Sequence, residues 1–113
     1  MGMLSGKNIL ITGCARGIGK SMVEVCAKHG ANIWANARSP NENFDNYCKS
    51  IREQYGVSVI PAYFDLTSKT GIVDSVKMIR ASGSPINGLI NNAGITYNSL
   101  FQMSSEINLR ENL

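Results

Sequence analysis

Short apolar runs alternate along the chain with longer stretches whose apolar residues recur every three or four positions. Asn8 to Thr12 reads as a buried strand, and Gly13 to Gly19 as a glycine-rich turn. Ile18, Met22, Val25 and Cys26 then share one face of a helix that Gly30 stops. Asn32 to Ala37 is a second strand. Ser39-Pro40-Asn41-Glu42 predicts a helix start, with Ser39 as the cap, Pro40 in the first turn and Glu42 three residues on. Phe44, Tyr47, Cys48, Ile51 and Tyr55 continue its apolar face as far as Gly56.

Val57 to Phe64 is a third strand, in which Pro61 points to an edge position or an early kink. Thr67 or Ser68 caps a third helix that buries Ile72, Val73, Val76 and Ile79. After Gly83-Ser84-Pro85, Leu89 to Asn91 forms a short fourth strand, and Ser104 or Ser105 opens another helical stretch. Strands and helices in strict alternation make an α/β fold, a parallel sheet with right-handed crossovers and helices on both faces. No repeat or linker interrupts the pattern, so residues 1–113 form one unit.

Composition removes several function classes. With 113 residues, 43% hydrophobic and 17% charged, the chain is an ordinary globular one. A domain of that size buries roughly 65% of its unfolded surface, enough for one core. The net charge of +3 is dispersed, with no block of like charges, which argues against nucleic acid as a partner. Nothing approaches the ~20 apolar residues of a membrane span, and the N-terminus lacks the form of a signal peptide. Cys14, Cys26 and Cys48 form no C-x-x-C pair and no metal-like spacing with the lone His29, as expected of free thiols in a reducing cytoplasm.

The candidate chemistry lies in Thr12-Gly13-Cys14-Ala15-Arg16-Gly17-Ile18-Gly19, where a strand hands over to a helix. There Gly13 permits the tight turn, Gly17 admits a pyrophosphate against bare backbone, and Gly19 lets the helix pack closely. The first-turn amides and the helix dipole then face the phosphates. A second phosphate reading starts from Gly19-Lys20-Ser21, which ends like a P-loop, with Val59 to Asp65 as its aspartate-tipped strand. A P-loop needs glycine five residues before Gly19, and Cys14 stands there. A P-loop-like nucleotide hydrolase is therefore an alternative, as is a non-catalytic dinucleotide-binding module acting with a partner chain.

The spacing G-x-x-x-G-x-G after Thr12, the run Asn91-Asn92-Ala93-Gly94 and the pair Asp65-Leu66 together resemble the short-chain dehydrogenase/reductase family. Within it, T-G-x-x-R-G-I-G and N-N-A-G-I-T look most like bacterial 3-oxoacyl-(acyl-carrier-protein) reductases. The resemblance implies a Rossmann-type doubly wound sheet of strand order 3-2-1-4, truncated before its later strands. It implies that Gly13, Cys14, Arg16, Gly17, Ile18 and Gly19 line the pyrophosphate and adenosine ribose, and that Asp65 bonds the adenine with Leu66 packed nearby. Asn92, Ala93 and Gly94 would lie against the nicotinamide-side ribose, while Asn91 would tie strands together.

Cofactor choice is read at the end of the second strand. An NAD site places an acid there to accept from the ribose 2′-hydroxyl, whereas arginine attracts a 2′-phosphate. Ala37 takes the acid's place and Arg38 follows, with Arg16 able to reach the same phosphate, so NADP(H) is favoured over NAD(H).

The family's catalysis uses a serine and a tyrosine whose pKa is lowered by a lysine four residues on. Four residues after Tyr47, Tyr55, Tyr63 and Tyr97 stand Ile51, Val59, Thr67 and Phe101, none of them lysine. No catalytic residue is assigned. Asn108 and Asn112 lie too early for the family's helix asparagine. The chain is thus expected to be the N-terminal cofactor-binding fragment of a longer, homo-oligomeric oxidoreductase that reduces a ketone, 3-oxoacyl thioesters among the candidates. It is expected to be inactive alone, with the carbonyl substrate bound only by the full-length parent.

Overall fold

Short strands such as Ile9-Leu10-Ile11 are apolar on both faces, and the chain pairs them in one parallel sheet. The computed structural model describes residues 2–65, 67–83 and 85–92. Its elements are β1 (Asn8–Ile11), α1 (Gly17–Lys28), β2 (Asn32–Ala37), α2 (Glu42–Tyr55), β3 (Val59–Tyr63), α3 (Lys69–Ala81) and β4 (Gly88–Ile90). The strand order is β3-β2-β1-β4 with every pairing parallel, which is the Rossmann-type order expected. The order reverses at β1, between β2 on one side and β4 on the other. In such sheets a crevice opens beyond the strands' carboxyl ends at that point.

Alternate strand residues supply two cores. Ile9, Ile11, Ile33, Ala35 and Val59 face α1 and α2, packing on Val23, Cys26, Phe44, Cys48 and Ile51. Leu10, Ala62 and Phe64 face α3 and its Ile72, Val76 and Ile79. The row Leu89, Leu10, Trp34, Ile60 crosses all four strands on the α3 side. Its outer members, Leu89 and Ile60, are each 38% exposed, so one helix does not cover the row. Pro61 sits on the edge strand, paired with Ala35, where a missing N–H costs no ladder bond to a further strand.

Three local expectations change. The buried face of α1 is Gly19, Val23, Cys26 and Ala27, while Ile18 is 74% and Val25 47% exposed. Small residues let this helix approach the sheet, and periodicity counted over bulky residues pointed about one position away. The cap of α2 is Asn41, whose side chain accepts from Phe44 N–H at 3.1 Å, so Ser39 and Pro40 precede the helix. Ser68 caps α3 by accepting from Gly71 N–H at 3.1 Å, which decides against Thr67. β1 and β3 are one and three residues shorter than read, β4 begins and ends one residue earlier, and β2 matches.

Candidate functional site

Every described candidate residue lies at the carboxyl end of the sheet. Gly13 and Gly17 adopt φ of 66° and 65°, a left-handed conformation open to glycine, and these two reversals fold the chain into a turn before α1. Arg16 is the extended residue at the head of α1 and has no side-chain cap bond. Among the described residues no acceptor takes the N–H groups of Ala15, Arg16, Gly17 or Ile18. A row of free amides at a helix start binds anions, with the dipole adding to the attraction. The residues present thus fit a phosphate group. Ile18, in the first turn of α1, leaves an apolar side chain exposed.

Cys14 behaves differently from the role expected of it. Its side chain is fully buried, its thiol donates to Ile11 O at 3.1 Å and its N–H donates to Asn36 O at 2.7 Å. Burial pushes this thiol up to about 12. Cys14 is the floor of the turn, and neither its sulfur nor its amide is offered to a ligand.

The turn is held from both sides by asparagine. Asn92 Nδ2 donates to Gly13 O at 3.1 Å, and Asn92 N–H donates to Thr12 Oγ1 at 3.0 Å. Thr12 Oγ1 in turn donates to Asn91 Oδ1 at 3.0 Å, so Asn91 does tie β1 to the end of β4. On the other side Asn36 Oδ1 accepts from Gly13 N–H at 3.2 Å. Asn36 is only 2% exposed, and its Nδ2 lies 3.0 to 3.1 Å from the carbonyl oxygens of Ala37, Ala62 and Phe64. Sequence reasoning passed over Asn36. The available signal was an amide between two alanines at the end of a buried strand, where any polar group must be paired.

The second half of the site is an ion pair. Arg38 Nε stands 3.5 Å from Asp65 Oδ2 across the ends of β2 and β3, with the arginine side chain 82% exposed. Asp65 Oδ1 accepts from Thr67 Oγ1 at 2.7 Å and Thr67 N–H at 2.9 Å. These bonds, then Arg38, hold the Asp65 carboxyl below its ordinary range. The structure therefore brings Arg38 and Asp65 together, and Asn92 onto the glycine turn. Leu66, Ala93 and Gly94 lie outside the described residues, as do Tyr97, Ser99, the helix expected from Ser104 or Ser105, Asn108 and Asn112.

Asp65 also bears on the P-loop alternative. Its strand is separated from β1 by β2, so it stands two strand spacings, about 10 Å, from the strand that feeds the turn. Among the described residues no group of His, Cys, Asp and Glu could hold a metal ion, and no helix is long and apolar enough to cross a membrane.

Comparison with known proteins agrees with this geometry. The sequence profile described as short chain dehydrogenase matches residues 7–112. Gluconate 5-dehydrogenase of Gluconobacter oxydans is 39% identical over 92 residues, covering 81% of this chain and 35% of the relative. The 3-oxoacyl-[acyl-carrier-protein] reductase FabG of Escherichia coli is 33% identical over 102 residues, covering 89% and 40%. Among solved structures, L-sorbose reductase from Gluconobacter frateurii, complexed with NADPH and L-sorbose, superposes with a TM-score of 0.74 and 36% identity. That match covers 83% of this chain and 35% of the reductase. The chain spans between a third and two fifths of the length of these relatives.

Proposed function

Because the chain belongs to the short-chain dehydrogenase family, we propose that it forms the NADP(H)-binding part of an oxidoreductase that reduces a ketone to a secondary alcohol. The observation that carries this reading is the turn of unclaimed amides at the carboxyl end of β1, with Ala37 and Arg38 at the neighbouring strand end. Bound cofactor would supply the hydride. The chain's own part is to hold the dinucleotide. Ala15, Arg16, Gly17 and Ile18 offer N–H groups to the pyrophosphate, and Ile18 screens one side from water.

Ala37 leaves the 2′ position free of negative charge. Arg38 supplies a guanidinium that a 2′-phosphate can take over from Asp65, its exposed side chain needing only rotation. Asp65 keeps acceptor capacity for the adenine amino group, and the family resemblance assigns Leu66 to the adenine as well and Asn92, Ala93 and Gly94 to the other ribose. Cys14, Cys26 and Cys48 are free and buried, and their odd number without pairing spacing is the ground for proposing a reducing, cytoplasmic setting. The relatives act on a sugar acid, a ketose and an acyl-carrier-protein thioester by name, and a 3-oxoacyl thioester or a polyhydroxy ketone is the substrate class proposed for the whole protein.

Calorimetric titration of NADPH, NADH and ATP tests the reading. NADPH is expected to bind about tenfold or more tighter than NADH, the factor one charge-assisted hydrogen bond carries. Arg38→Ala is expected to abolish that difference while leaving NADH unchanged. Tightest binding of ATP, or no binding of either dinucleotide, would reject the proposal.

A further inference from the structure

Asn36 makes contacts that the strand it belongs to does not need. Its backbone already pairs in the sheet, and its neighbours Ala35 and Ala37 show that a small apolar side chain suffices at this depth. Its amide reaches outward in two directions. The oxygen receives the Gly13 N–H, at the first reversal of the phosphate-binding turn. The nitrogen serves Ala37 O and Phe64 O, which belong to the peptide units leading into Arg38 and Asp65. Its third partner, Ala62 O, fixes the same end of β3. Two hydrogens shared among three carbonyls on one side, and an N–H on the other, permit only this orientation of the amide.

We propose that Asn36 is a positioning residue that holds the phosphate-binding turn in register with the Arg38–Asp65 end of the site. The inference rests on the dinucleotide reading above. A dinucleotide must touch both ends at once, so a shift of one against the other weakens it. A ligand that touches one end alone does not sense the register. No other described side chain bonds the turn and both of those peptide units. Asn92, which grips the opposite side of Gly13, reaches only β1 and the turn.

The test is Asn36→Ala, read with NADPH and with adenosine 2′-monophosphate, which engages the Arg38 end only. NADPH affinity is expected to fall about tenfold, as befits loss of a prepaid arrangement held by hydrogen bonds. The monophosphate is expected to change less than about twofold, whereas simple loss of folded protein lowers both affinities by one common factor. Amide hydrogen exchange without ligand gives an independent reading. The Gly13 N–H is expected to be protected in the unsubstituted chain and to lose that protection in the variant while the β1–β2 amides keep theirs. Asn36→Ser, whose hydroxyl is too short to span both sides, serves if the alanine variant does not fold.

Equal losses for both ligands, unchanged NADPH affinity, or an unprotected Gly13 amide in the unsubstituted chain would overturn the role of Asn36. Failure of the unsubstituted chain to bind NADPH would instead overturn the dinucleotide reading.

Discussion

A methyl group at Gly19 would sit 2.0 Å from the Gly13 carbonyl oxygen and 2.6 Å from Asn92 Nδ2. The first neighbour is backbone, pinned by asparagines on both sides, so it cannot give way. Gly19→Ala is therefore expected to lower stability by about 1–3 kcal/mol, the usual range for overpacking, and to weaken NADPH by tenfold or more. Thermal unfolding and a cofactor titration check it, and a variant with parental values in both would refute the crowding argument. The three glycines were legible in the sequence because each has a conformational or steric reason that no other residue meets. Asn36 was not. All but one of its partners lie 23 to 28 positions away, and a polar residue near a strand end reads as nothing more than the end of the strand. Cys14 was misjudged for a related cause: membership of the turn does not say which way a side chain points, and this one points down into the core.

At the scale of elements, the type and order of the seven described elements were legible, since a period of two or a run of apolar residues between helical stretches has few other solutions. Boundaries were less so. Ser39-Pro40 carries the composition of a helix start, yet Asn41 takes the cap because its side chain reaches Phe44 N–H while Tyr63 Oη donates to its carbonyl at 3.0 Å. Asn41→Ala is expected to cost ~1 kcal/mol, or about 4–8 °C in Tm for a domain near this size. Ser39→Ala is expected to shift Tm by no more than about a quarter of that, as for a surface position outside the cap. Equal shifts in the two scans would return the cap to Ser39.

For the whole molecule, the three thiols meet in one core between the sheet and its α1–α2 layer. Burial raises all three, Cys14 to about 12 and Cys48 to about 11. At pH 8 a thiol at 12 is about one part in ten thousand ionised, against roughly a quarter for an unperturbed cysteine. Labelling by a thiol reagent is accordingly expected to be slower by about a hundredfold or more in the native chain than in denaturant, limited by opening of the core. Rapid modification of any of the three in the native chain would contradict this packing. A parallel sheet with helices on both faces was legible from alternation and its strand order from the family resemblance, whereas how far α3 covers its face of the sheet was not, because coverage depends on helix position rather than on pattern.

That partial coverage has an optical consequence. The row across the α3 face contains Trp34, the chain's single tryptophan, half-buried beside Leu10 and two strand-end residues short of Asn36. Its indole emission reports the polarity of that face without any added label. It also overlaps the absorption of a reduced nicotinamide, so the same ring is a donor for energy transfer to a ligand bound at the end of its own strand. The sheet thus carries a lamp on one side and the proposed cofactor cradle at its tip, and one spectrum separates loosening of α3 from arrival of the dinucleotide.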